Sequence, residues 1–170
     1  MRKLTQSGLL WLLLSCVILL ADRYSKIWML DNLSVGEPIA LLPVLNLTLA
    51  YNTGAAFSFL NSAGGWQQYF LGGLAGVVSF FIFGCLLKQP RHDYWQNCAL
   101  SLILGGAIGN VWDRLSYGHV IDFINFHIND WHFAIFNIAD AAIFCGVVTF
   151  FIQNYEKKRK SLDSVKINKI

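Results

Sequence analysis

Charge is what this sequence has least of. Only 14% of its 170 residues are Asp, Glu, Lys or Arg, against roughly 25% in an average soluble domain. From Pro38 to Leu87 there is no charged side chain at all. This shortage excludes disorder outside the C-terminal tail and argues against a soluble globular fold. Cysteine is scarce and scattered: Cys16, Cys85, Cys98 and Cys145 lie in apolar runs without C-x-x-C spacing, which excludes a disulfide framework or a thiolate metal site. His92, His119, His127 and His132 lack metal spacing, so neither a metal nor another cofactor is expected. No Ser/His/Asp or Cys/His set offers a nucleophile system, no internal repeat is seen, and no nucleic-acid partner is expected.

Long apolar runs are what the chain has instead, with 55% hydrophobic and 15% aromatic residues. Arg2 and Lys3 open a basic N-terminus, and Leu4 to Ala21 is uncharged. Leu13-Leu14-Ser15-Cys16 loosely resembles a lipobox, but the apolar run continues past the cysteine, so a retained span is expected rather than a cleaved leader. Spans are expected over about 8–28, 66–87, 94–112 and 138–155. As helices rising about 1.5 Å per residue, each reaches roughly 30 Å, enough to cross a bilayer. Gly72 and Gly76 offer the second span a small-residue packing face, and Ser101, Gly105 and Gly109 offer the third a stripe. Asp22 and Lys26 stand at i and i+4 if the first helix reaches about Leu30. Their plain reading is an interfacial pair with Lys26 snorkelling.

Between the first two spans the period changes. Leu45, Leu47, Leu49 and Tyr51 alternate with Asn46, Thr48, Ala50 and Asn52, a strand signal with Asn52 on the polar side. Thr53-Gly54-Ala55-Ala56 then lets a ligand or another backbone come close. Gly118 to Phe126 alternates again, and Asn129-Asp130 reads as a turn. β-rich segments are thus expected over about 38–62 and 118–136. Asn137 reads as the N-cap of the fourth span, with Asp140 in capping-box spacing. One domain is expected over 1–155, followed by a basic, frayed tail over 156–170.

Four spans place both termini on one side. Of the 13 basic residues, all but Arg23, Lys26 and Arg114 fall there, so that side is expected to be cytoplasmic. Trp28, Trp66, Trp95, Trp112 and Trp131 fall near span ends or in outer loops, as an aromatic belt requires. The same topology carries Asp22, Asn110, Arg114 and Asp140 to the outer interface, where Asn52 and Asp122 can join them.

Asp122 and Asp140 are the residues hardest to account for, each set among apolar neighbours. An ionised Asp at the bilayer centre costs about 2.5–3.5 kcal/mol on insertion scales, which makes such residues functional candidates by default. Asp140 alone could cap a helix, and Asp122 alone could pair with Arg114. Together with Asn110, Arg114 and Asn137, the bland readings lose ground. Two carboxylates held close titrate as a unit and keep one proton between them. That gives a base to activate water and an acid to polarise a carbonyl, as in aspartic peptidases. A small proton-coupled transporter is the competing reading, weakened by the missing repeat and by acids gathered at one interface.

At this point the residues match a family. Asp22-Arg23-x-x-Lys26, Asn52-Thr53-Gly54-Ala55-Ala56-Phe57, Gly105 to Arg114, Val120-Ile121-Asp122-Phe123 and Phe136-Asn137-Ile138-Ala139-Asp140 occur in the order seen in lipoprotein signal peptidase (signal peptidase II), a bacterial membrane aspartic peptidase, which the chain resembles over about residues 8–155. The resemblance implies an all-α membrane protein of four transmembrane helices with a small periplasmic β-cradle and a short surface helix, in the inner membrane. It implies an enzyme that cuts the signal peptide from diacylglyceryl-modified prolipoproteins before the lipidated cysteine. Asp122 and Asp140 match the catalytic pair. Asn52, Gly54, Asn110, Arg114 and Asn137 match positions that shape the substrate site, and Asp22 with Lys26 a supporting polar pair. Globomycin sensitivity, contact with membrane lipid and a monomeric state are expected too. A non-catalytic protein that binds the lipidated precursor and leaves it uncut is the remaining alternative.

Overall fold

A computed structural model describes residues 6–54, 65–129 and 131–167. A 3₁₀ turn at Gly8–Trp11 leads into α1 (Leu12–Asn32). Two strands follow, β1 (Pro38–Leu42) and β2 (Leu45–Asn52), and then α2 (Trp66–Lys88) and α3 (Tyr94–Tyr117). The strands β3 (Val120–Ile128) and β4 (Trp131–Phe136) precede α4 (Ile138–Ile167). Turn chemistry fixes the joints. Gly118 takes the left-handed conformation (φ 74°) and closes α3 with its N–H on Arg114 O, and Asn129 at φ 51° turns β3 into β4. The described residues contain no separate surface helix, and residues 55–62 of the expected β-rich segment lie outside them.

The fold is therefore helical with one antiparallel sheet, in the order β1-β2-β3-β4. The expected alternation along β2 fails midway. Thr48 and Leu49 are both buried and Tyr51 is exposed, because the register with β3 shifts between Leu47 and Ala50, as an extra residue in one strand makes it do. Past that shift the register is regular and pairs Ala50 with Asp122 and Asn52 with Val120. Asn52 and Asp122 thus become diagonal neighbours on one face. The opposite face of the sheet is set against α1 through Leu49, Ile121, Phe123 and Met29.

Among the helices, α3 is the axis, packed against α1, α2 and α4. Ile82 and Leu86 of α2 meet Leu100 and Leu104 of α3 in a second apolar core. Towards α1 and α4 the contact is made by glycine. A Cβ on Gly105 would stand 2.7 Å from Ser15 O on α1, and one on Gly106 would collide with Ala139 O on α4. The α3 stripe behaves as expected, but the α2 stripe does not. Gly72 meets Arg114, whereas Gly76 has nothing within 4 Å, because α2 presents that face outward.

Three helices, Gly8–Asn32, Trp66–Lys88 and Ile138–Asp163, are long and apolar enough to cross a membrane. Their outer faces carry Leu20, Phe80 and Phe81, all more than 60% exposed. The expected third span forms as α3 but misses that hydropathy, because Gln96, Asn97, Ser101 and Asn110 lie on its buried face. The tail also departs from expectation, since α4 continues to Ile167. Its Glu, Lys and Arg residues are good helix formers with no Gly or Pro among them, and Lys157 is tied to Asp93 at 2.8 Å.

Because the α3–α4 contact leaves no room for a side chain, Gly106→Val should lower stability by about 1–3 kcal/mol or more. Gly73→Ala, in open space on α2, should leave it unchanged or slightly raised. Thermal unfolding of both variants in detergent checks the pair.

Candidate active site

The sheet register and the start of α4 bring the polar residues to one place. Asn52 Nδ2 donates to Asp122 Oδ2 at 3.1 Å from the neighbouring strand. On the other side Asn137 Nδ2 donates to Asp122 Oδ1 at 2.7 Å. The same amide reaches Ile121 O and Asn110 Oδ1, each at 3.2 Å. Asn137 is also the N-cap of α4: its Oδ1 accepts Asp140 N at 2.8 Å. Only half of the capping box forms, however. The Asp140 carboxylate turns towards α3 and accepts from Asn110 Nδ2 at 2.7 Å.

Arg114 closes the ring. Its Nη1 donates to Asn110 O at 3.3 Å and its Nη2 to Gly54 O at 3.0 Å, while Gly54 N donates to Asn52 Oδ1 at 2.9 Å. Arg114 and Asn110 lie one turn apart on α3, as their spacing required. Lys26 Nζ lies 3.4 Å from Asn110 Oδ1 and 2.8 Å from Asp22 Oδ2. All nine residues singled out in the sequence therefore join one network of hydrogen bonds.

Two expectations need correction. Lys26 does not snorkel: it is fully buried and points inward, held at 2.7 Å by Asp113 as well as by Asp22. Asp122 is bonded to two amides rather than paired with Arg114. Asp113 and Arg23 were missed as members of the cluster. Asp113 is fully buried, forms salt bridges with Arg23 and Lys26, and accepts Ile121 N at 3.2 Å. Arg23 also donates to Tyr117 Oη at 3.1 Å. The available signal was the spacing, since Asp113 follows Asn110 by three residues on the helix face that faces α1.

A cavity of about 660 Å³ opens beside Asp140, with Asn52, Asn110 and Arg114 in its polar wall. Along α4 the lining residues Asp140, Ile143, Phe144 and Val147 follow i, i+3, i+4, i+7 spacing and so form one stripe. A carboxylate stands at the stripe's head and apolar side chains continue below it. Among the described residues, no group of three His, Cys, Asp or Glu is placed to hold a metal ion.

The family model described as Signal peptidase (SPase) II matches residues 14–155. A protein named lipoprotein signal peptidase from Coxiella burnetii (strain Dugway 5J108-111) is 51% identical over 137 residues, 81% of this chain and 84% of that protein. Another of the same name from Hydrogenovibrio crunogenus is 44% identical over 169 residues, covering 96% and 98%. A solved structure described as "Bacterial membrane enzyme structure by the in meso method at 2.3 A resolution" superposes with a TM-score of 0.79 at 28% identity, covering 87% of this chain and 88% of that one.

The geometry sets how Asp122 titrates. Burial, and then the neighbouring Asp140 carboxylate, push it from 3.8 up to about 7, against the two amide donors and the Lys26 charge. The folded chain therefore keeps a proton between these two values that an unfolded chain has released. Stability falls as pH rises through that window. Asp122→Asn removes this group's contribution and should stabilise the chain at pH 8 by on the order of 1–3 kcal/mol. Little gain is expected at pH 4. Thermal midpoints of variant and parent across this range test the sign.

Proposed function

The chain belongs to the signal peptidase II family, and from that premise we propose that Asp122 and Asp140 are the carboxylate pair of its peptidase site. Membership makes the chain a membrane aspartic peptidase that removes signal peptides from prolipoproteins during lipoprotein maturation. The observation carrying the residue assignment is the shared scaffold. Asn137 donates to Asp122 and caps the N–H of Asp140, so one side chain orients both acids.

In this reading the pair holds one proton near neutral pH, as its coupled titration requires. The ionised carboxylate takes a proton from a water as that water attacks the scissile carbonyl. The protonated partner donates to the carbonyl oxygen. Asn110 fixes Asp140, and the N-terminus of α4 favours negative charge there. Arg114 borders the cavity, with its guanidinium donating to Gly54 O. The apolar stripe from Ile143 to Val147 suits an acyl chain, which supports a diacylglyceryl-modified substrate cut before its lipidated cysteine.

The wider arrangement follows the same reading. We infer that α3 is a fourth span, its polar face covered by α1, α2 and α4. The ten basic residues near the two termini and in the α2–α3 loop put that side in the cytoplasm. The site then lies at the periplasmic interface of the inner membrane, in a monomer sensitive to globomycin. A proton-coupled transporter finds no support in this arrangement, because the acids form one cluster rather than a path across the bilayer.

Asp122→Asn and Asp140→Asn preserve size and remove the acid–base group. Each should slow cleavage of a diacylglyceryl-prolipoprotein by about 10²–10⁴-fold, read as loss of the gel shift. Full activity in either variant would sink the assignment.

A further inference from the structure

Each member of the proposed pair follows a residue whose backbone N–H is held by another, more deeply buried carboxylate. Ile121 N, just before Asp122, donates to Asp113 Oδ2 at 3.2 Å. Ala139 N, just before Asp140, donates to Asp22 Oδ1 at 3.0 Å. The two holding carboxylates share one cation, with Lys26 Nζ at 2.8 Å from Asp22 and 2.7 Å from Asp113. All three side chains have 0% exposure. We propose that Asp22, Lys26 and Asp113 form a yoke that sets the separation of Asp122 and Asp140, with Asp113 as a positioning residue. The inference rests on reading those two aspartates as the reacting pair.

Several features favour positioning over filler. The peptide of Ile121 is gripped at both ends, its N–H by Asp113 and its C=O by Asn137, the amide that also bonds Asp122. Ala139 N is one of the first-turn donors that a helix leaves unsatisfied. Here it is satisfied from α1, because Asn137 caps Asp140 N instead. Arg23 pairs with Asp113, so the cluster contains two anions and two cations. It acts on the pair through geometry more than through a net field. Gly109 also finds its reason, since a Cβ there would stand 2.7 Å from Asp22 Oδ2. One lysine thus ties a strand and a helix whose acids must meet, although neither acid touches it.

The test uses the full chain in lipid nanodiscs, with Asp113→Asn and Asp113→Leu. Asparagine keeps an oxygen for Ile121 N but drops the charge that anchors Lys26, whereas leucine loses both. Misplacing a reacting group by about 1 Å costs on the order of a hundredfold in rate. The expected kcat is therefore about a hundredfold lower in Asp113→Leu and about tenfold lower in Asp113→Asn, with KM changed less than about threefold. Amide hydrogen exchange supplies the second readout. In Asp113→Asn, segments 119–123 and 137–141 should both exchange faster while α2 does not change.

Exchange that accelerates only at 119–123 overturns the yoke, as does acceleration alike in every helix. A kcat in Asp113→Leu within about threefold of the parent also overturns it. If Asp113→Leu does not accumulate, the exchange pattern of Asp113→Asn decides alone. Failure of the pair assignment is separate: it appears as retained cleavage in Asp122→Asn or Asp140→Asn, whatever the exchange shows.

Discussion

A lysine with no exposure to solvent must find its counter-charges inside the protein, and Lys26 does so in a way that arranges the elements around it. Removing both charges of a buried pair can be harmless, but removing one typically costs about 3–5 kcal/mol, because the other is left uncompensated. Asp22 and Asp113 are thereby bound to remain near one point. Asp22 lies on the same helix as Lys26, so it adds little tertiary constraint through the lysine. Asp113 brings in α3. The second oxygen of Asp22 then reaches the start of α4, and the Asp113 oxygen that holds Lys26 also reaches the start of β3. A single buried cation thus fixes the mutual placement of three helices and a strand.

The two asparagines on the other side of the cluster solve a different problem. A buried carboxylate that loses or gains a proton needs neighbours that tolerate both forms. Asn110 and Asn137 carry donor and acceptor on the same group and no charge of their own. Asn137 satisfies Asp122 with its amide and the helix terminus with its carbonyl. Asn110 bonds Asp140 with its amide and receives Asn137 with its carbonyl. Lysine or arginine in either place would bias the pair towards full ionisation. The fixed charges stand farther back, at Lys26 and Arg114.

Much of this was legible in the sequence, for stated reasons. Uncharged runs of span length mark helices because apolar content and length are local properties. Asn137 could be read as a cap because capping depends on its immediate neighbours. The period-two segments gave β2 and β3, and the shared depth of the polar residues gathered the cluster. Other features were not legible. The shift at Thr48–Leu49 depends on what β3 presents opposite it. The role of Asp113 depends on Ile121, eight residues on, and on Arg23 and Lys26 in another helix. Lys26 looked free to snorkel because its stem is long, and only the fold shows that its head points inward. The reach of α4 past residue 155 reflects residue propensities that a polar composition disguised as a frayed tail.

On the proposed reading, the stripe on α4 also bears on how a lipidated substrate is distinguished. An acyl chain already in the bilayer gains almost nothing by moving into an apolar groove, since lipid tails are as apolar as the side chains that line it. The stripe cannot therefore select its substrate through hydrophobic affinity alone. It can select through alignment, because a bare peptide has no chain to lay along Ile143, Phe144 and Val147. From Asp140 to Val147 the helix advances about 10 Å. A chain laid along that length brings whatever it carries at its head to the carboxylate. Selection and alignment then follow from the same eight residues of helix, and the polar network behind Asp140 only has to hold that helix still.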